Sequence, residues 1–323
     1  MKINLSHGNG ATETGELIEN VFLKYFKNRY TGMEDSAVLP FCGERLAFTT
    51  DSFVVKPLFF PGGDIGRLAV SGTVNDLLTT GGKPLYLSAS FILEENLDTD
   101  TIENAAKSMR EAADEAGVWI VTGDTKVIEG SCGMYISTAG IGEAGNLSLG
   151  KITEGDAILL SGNLGDHHAC ILSARMGIRN EIKSDAAPLV DIMGALMNSG
   201  LPVHGARDIT RGGLATILNE AAQTAGLLAI IDENALPVSE EVKGFCKILG
   251  LDPLYMGNEG KMLVALPEQY AEKALALMQK SRYGENATLI GRFTAGKGVV
   301  LRTRIGGRRN LPPLSGEGLP RIC

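Results

Sequence analysis

Residues 85–126 read LYLSASFILEENLDTDTIENAAKSMREAADEAGVWIVTGDTK, and this stretch decides the fold class. Leu85 to Leu93 alternates in the manner of a strand. Thr101 to Ala116 places Ile102, Ala105, Ala106, Met109, Ala113 and Ala116 on one helical face. Val118 to Thr122 is a nearly continuous apolar strand that runs straight into Gly123, Asp124, Thr125 and Lys126. Strand, helix and strand in succession predict a layered α/β (α+β) architecture.

Working outward, Glu13 to Lys27 carries Leu17, Ile18, Val21, Phe22, Tyr25 and Phe26 on one face, behind the glycine-rich HGNG of residues 7–10. Leu46 to Thr50 is a predicted strand with Asp51 at its end, and a helix from about Ile65 contains GTVND and stops at Gly81-Gly82. Met134 to Ile141 closes a first domain, residues 1–145, before the polar, glycine-rich GNLSLGKITEGD of residues 145–156. A second α+β domain, residues 150–305, is predicted from helices at Asp166–Met176, Leu189–Ser199, Glu240–Leu249 and Ala271–Lys280 and strands at Ala157–Ser161, Leu227–Ile231, Lys261–Leu266, Ala287–Phe293 and Val299–Arg304. Asp208 to Gly213, DITRGG, opens a further helix, with Asp208 as an expected helix cap. Residues 306–323, GGRRNLPPLSGEGLPRIC, are too rich in glycine and proline for a helix or a central strand and are expected to leave the body as a mobile tail ending in Cys323.

A chain of 323 residues suits two compact domains, and 44% hydrophobic with 21% charged residues is globular composition. A net charge of -8 argues against nucleic-acid binding. Five scattered cysteines without CxxC spacing indicate neither a disulfide framework nor a zinc site, and three in apolar contexts are expected to be buried. The N-terminus lacks the apolar core of a signal peptide and no apolar run has the length of a membrane span. A cytoplasmic location is therefore expected, where a terminal cysteine stays a free thiol.

Asp51 in FTTDS, Asp76 in GTVND and Asp124 in VTGDTK each follow an apolar segment at a turn holding glycine or serine. Buried carboxylates need positive partners, and a divalent cation serves several at once. With Lys126 nearby, the three aspartates suit a magnesium–nucleotide site, although GxxxxGK[ST] is absent. Glu259 in Asn258-Glu259-Gly260-Lys261 is a candidate general base, Asp208 and Arg211 mark a further acid–base pair at a helix start, and Cys323 is the covalent candidate.

HGNG, FTTDSFVVKPLFFPGGDIGRLAVSGTVND, YLSASFILEE, IVTGDTKV, SGNLGDHHA, DITRGGLATILNE, MGNEGK and the terminal PRIC resemble, in order and over essentially the whole chain, the HypE family of hydrogenase maturation proteins. The aspartate and TRGG motifs are also similar to the wider superfamily of aminoimidazole ribonucleotide synthetase, selenophosphate synthetase and thiamine-monophosphate kinase, which the terminal PRIC sets apart. The resemblance implies a two-domain aminoimidazole ribonucleotide synthetase-like fold and a homodimer joined through the N-terminal domains, with ATP bound there. It implies that a carbamoyltransferase loads Cys323, that ATP-dependent dehydration turns the thiocarboxamide into a thiocyanate, and that an iron-carrying scaffold complex receives the cyanide for [NiFe]-hydrogenase. Asp51, Asp76 and Asp124 are then expected to hold Mg2+ and phosphates, Lys126 to stabilise the transferred phosphate and Glu259 to act as base. Asn75, Gly123, Thr125, Asn258, Asp208 and Arg211 complete the expected nucleotide set. Two alternatives stay open: an ATP-dependent small-molecule synthetase or kinase in which the tail is irrelevant, and a non-catalytic scaffold whose cysteine binds iron or a partner.

Overall fold

The structure, a computed structural model, describes residues 2–8, 12–30, 39–131 and 133–315. Cys323, Cys132, Ala11 and the Asn9-Gly10 half of HGNG lie outside the described residues. The chain opens with α1 (Thr12–Leu17), a π turn over Ile18–Phe22 and α2 (Leu23–Phe26), which pack Phe22 and Phe26 against Phe91. Strands β1 (Leu46–Phe53), β2 (Phe59–Phe60) and β3 (Gly63–Asp64) lead into α3 (Ile65–Leu78), which Asp64 caps by accepting from the Gly66 and Arg67 amides. Then follow β4 (Lys83–Glu94), α4 (Thr99–Ala116), β5 (Trp119–Ile128) and β6 (Met134–Glu143).

These form a four-stranded sheet in the order β1-β6-β4-β5, in which β4 and β5 are parallel and joined through α4, the crossover read from residues 85–126. The helices α3 and α4 cover one face. They approach so closely that a Cβ on Gly66 would lie 2.2 Å from the Ala105 carbonyl oxygen.

The second domain runs β7 (Asp156–Leu160), α5 (Asp166–Met176), α6 (Val190–Asn198), β8 (Gly205–Asp208), α7 (Gly213–Ala225), β9 (Leu228–Asp232), α8 (Glu240–Leu249), β10 (Met262–Pro267), α9 (Ala271–Lys280), β11 (Thr288–Thr294), β12 (Gly298–Arg302) and β13 (Arg308–Asn310). Its seven strands lie in the order β13-β12-β9-β11-β7-β10-β8. Along β7, Ala157 and Leu159 join a core that continues into the first domain, whereas Ile158 and Leu160 face a second core under α7. Two domains read from the sequence thus share one hydrophobic core across their junction.

Three expectations change. Strand β8 was not legible, and Asp208 ends it rather than capping α7, whose N-cap is Gly212 without a side-chain bond. The residues expected to begin a mobile tail at Gly306 instead turn back, pair as β13 with β12 and bury Leu311 to 1% exposure, so the folded body reaches Ser315. Cys170 and Cys246 are buried as expected, while Cys42 is exposed.

Candidate active site

Thr49 and Asp51 sit on the face of β1 that α3 covers. A Cβ on Gly72 of α3 would lie 2.9 Å from the Phe53 ring and 3.4 Å from Asp51 Oδ2, so glycine lets the helix lie against the aspartate. One helical turn on, Asp76 Oδ2 accepts from Thr49 Oγ1 at 2.8 Å, and Asp51 Oδ1 accepts from the Ser52 amide at 2.8 Å. None of these aspartates ends its element: Asp51 lies within β1, Asp76 within α3 and Asp124 within β5.

The second domain adds Asp208, Arg211 and Glu259 to this edge. Burial raises the Asp51 pKa, with Asp76 adding to the rise and Arg211 opposing it. Burial pushes Asp208 up to about 7, reinforced by Asp76 and Asp51 and opposed by Arg207. Glu259 is raised well above the ordinary carboxylate range, first by burial and then by Asp185, Asp51 and Asp208, against Arg211. The residue as a whole is half-buried. Carboxylates that hold one another's protons on, with too little positive charge among them, make a place for a cation and the phosphates it carries.

Asp124 and Lys126 do not join this group within one chain. The register Ser52–Ser137–Ser90–Asp124 puts Asp124 on the face opposite Asp51 and on the far edge strand, three strand spacings or roughly 14 Å away. There Lys126 Nζ pairs with Asp124 at 3.3 Å, both exposed. The expected triad of Asp51, Asp76 and Asp124 is therefore not assembled in a single chain, and among the described residues no group of three His, Cys, Asp or Glu side chains could hold a metal ion. The open face that carries Asp124 also exposes Phe48 (64%), Ile92 and Ile128.

Other expected ligands have structural occupations. Asn75 is buried: its Nδ2 donates to the Ala187 carbonyl at 3.0 Å and its Oδ1 accepts from the Leu189 amide at 2.9 Å, which ties α3 to the second domain. Asn258 Oδ1 accepts from the Gly165 amide at 2.8 Å and its Nδ2 donates to the Met256 carbonyl. Thr125 is buried, and its amide donates to Asp124 Oδ1. Gly123 is dictated by the sheet, since a Cβ there would lie 2.2 Å from the Ala89 oxygen. Asn75 thus braces the junction of the two domains, Asn258 joins two turns of the second domain, and Gly123 and Thr125 belong to the far edge strand of the first sheet.

Asp185 and Lys261 were missed. Lys261 Nζ stands 3.1 Å from Asp185 Oδ2, both almost fully buried. The available signal was a lysine heading the apolar run Met262 to Leu266, whose charge has to be paired once that strand is central.

Beyond β13 the chain is fastened by Asn219 Nδ2 donating to the Leu311 carbonyl at 2.8 Å, Tyr255 Oη donating to the Pro312 carbonyl at 3.0 Å and the Leu314 amide donating to Thr216 Oγ1 at 3.2 Å. Thr216 packs against Gly212, a Cβ on which would lie 2.5 Å from Thr216 Oγ1, and so the last described residues run beside the turn that holds Arg211.

Two α/β domains with an acidic cleft at their junction define the class of AIR synthase related proteins. The model of that family's N-terminal domain matches residues 33–144 and that of its C-terminal domain residues 153–304. A protein named carbamoyl dehydratase HypE from Rhodobacter capsulatus is 46% identical over 100% of this chain and 98% of its own length. The crystal structure of hydrogenase maturation protein HypE in complex with ATP superposes with a TM-score of 0.95 at 46% identity, covering 99% of each chain. A HypE chain from a HypE–HypF complex has a TM-score of 0.81 at 45% identity over 92% of this chain and 99% of that one. This chain belongs to the HypE family of hydrogenase maturation proteins.

Proposed function

We propose that this protein is an ATP-dependent carbamoyl dehydratase that acts on its own S-carbamoylated Cys323. The observation that carries the reading is the course of the C-terminal segment, fastened through Leu311 and Leu314 to α7 and through Pro312 to Tyr255, so that it runs beside the Arg211 turn near the cleft of Asp51, Asp208 and Glu259. The amide oxygen of the thiocarboxamide attacks the γ-phosphorus of ATP and one N–H proton is lost; the C–O bond then breaks, phosphate leaves with that oxygen, and the second N–H proton is lost as the nitrile forms. ADP, phosphate and a thiocyanate on sulfur are the products. Glu259 takes a proton from nitrogen, and Arg211 offsets charge among the carboxylates. Asp51 and Asp76 are the residues that would hold Mg2+, and the ion would supply positive charge between these carboxylates and the phosphates of ATP.

Asp124 and Lys126 fit the same reaction if a second copy covers the open sheet face, whose exposed Phe48, Ile92 and Ile128 supply an apolar contact. Lys126 of one protomer then reaches the transferred phosphate in the other. The partners that fit this chemistry are a carbamoyltransferase that loads Cys323 and an iron-carrying scaffold that takes the cyanide, in the cytoplasm.

Intact mass spectrometry tests the reaction. Incubation with the carbamoyl donor system is expected to add one carbamoyl group, and ATP with Mg2+ then to remove one water from the loaded chain. Cyanide formation by Cys323→Ala would refute the proposal.

A further inference from the structure

Beside the 258–261 turn lies a cavity of about 470 Å³, walled in part by Gly162, Asp166, Asp185 and Lys261. Its wall holds the buried Asp185–Lys261 ion pair, for which the chemistry above has no use. The pair brackets Glu259. Asp185 Oδ1 accepts from the Glu259 amide at 3.1 Å, and Lys261 Nζ donates to the Gly260 carbonyl at 3.1 Å. The fit is close, since a Cβ on Gly260 would lie 2.0 Å from the Asp185 carbonyl oxygen and one on Gly162 would lie 3.2 Å from Lys261 Cε. The Glu259 amide and the Gly260 carbonyl, one peptide further along the turn, are therefore bonded to the two halves of one ion pair.

The surroundings of Glu259 explain why such a fixture is needed. Asp51 from β1 and Asp208 from β8 repel its carboxylate and Arg211 attracts it; Asp185 repels it as well, with Lys261 and Asp166 beside that group, while Asp76 of α3 acts on Asp208. A glutamate on an unsupported turn relieves this crowding by swinging out to water.

We infer that the Asp185–Lys261 pair is the positioning device of Glu259, holding the backbone of its turn so that the carboxylate stays in the cleft against Asp51 and Asp208. The pair lines that cavity and bonds to the backbone of the turn, so its role is indirect. The inference rests on the reading of Glu259 as the base.

Removing one member alone leaves a buried charge unpaired and threatens the fold, so the test uses two double variants of the full-length chain. Asp185→Asn/Lys261→Met deletes both charges and keeps an amide oxygen for the Glu259 N–H. Asp185→Ala/Lys261→Met deletes the acceptor too. The readout is the single-turnover rate of ATP-dependent water loss from carbamoylated Cys323, beside the ATP Kd and the Tm. The alanine variant is expected to lose about tenfold or more in rate, with ATP Kd changed less than about threefold, and the asparagine variant to recover most of the loss. Equal rates in the two doubles, or rates that simply follow Tm, would overturn the inference. A slow Glu259→Gln beside a wild-type rate for the alanine double removes this inference alone, whereas a wild-type rate for Glu259→Gln removes the base reading and the inference together.

Discussion

Asp208 ends an edge strand and ionises at about 7 in the folded chain, against about 3.9 for an aspartate in an unfolded one. Between those values the folded state keeps a proton that the unfolded state has released, so the ligand-free protein is expected to lose stability as pH rises from about 4 to about 7. Glu259 adds to the loss in the same direction. Thermal unfolding between pH 5 and 8 should show Tm falling, and Asp208→Asn should flatten the slope and gain on the order of 2–4 kcal/mol at pH 8. Mg2+ with ATP should raise Tm far more at pH 8 than at pH 5, because only ionised carboxylates attract the cation. At this scale the sequence displays Asp51, Asp76 and Glu259 plainly, in FTTDS, GTVND and NEGK, each a short motif holding glycine or serine. Asp185 was hidden because its partners, Glu259 and Lys261, lie more than 70 residues further along the chain.

Among the elements, helices α5, α8 and α9 match their predicted bounds, and α8 is capped by Ser239, whose Oγ accepts from the Val242 amide at 3.3 Å. The unread strands β8 and β13 are the two edges of the seven-stranded sheet. Edge strands are short and polar, GARD and RRN here, so they lack the alternation that betrays an inner strand. For β13 the neighbouring glycines and prolines suggested a loose arm, whereas the apolar Leu311 decides the matter by entering the core. Leu311→Ala is expected to cost about 2–4 kcal/mol and to expose the β12 and β13 amides. Urea denaturation and hydrogen exchange read both effects.

For the molecule as a whole, the proposed dimer makes each site from two chains: Asp51 and Asp76 from one, Asp124 and Lys126 from the other. The sequence could not display this division, because residues adjacent in motif order lie on opposite faces and edges of one sheet. Phe48→Asp is expected to yield monomers in analytical ultracentrifugation and to abolish turnover. Asp51→Asn and Lys126→Met should each be inactive alone. Mixed one to one and allowed to exchange, they should regain about a quarter of wild-type activity, since about half the dimers are mixed and each mixed dimer holds one intact site. No recovery would place the four residues in service of a single chain.

The anchoring of Leu311 to Leu314 also sets a length. Cys323 lies eight positions beyond Ser315, a span of at most about 26–29 Å. A thiol confined within that radius of its anchor has an effective concentration on the order of tens of millimolar toward anything beside Arg211. In the proposed reaction, encounter between the loaded sulfur and the cleft is therefore a property of the chain, insensitive to dilution, while loading and unloading would depend on the concentrations of the proposed partners.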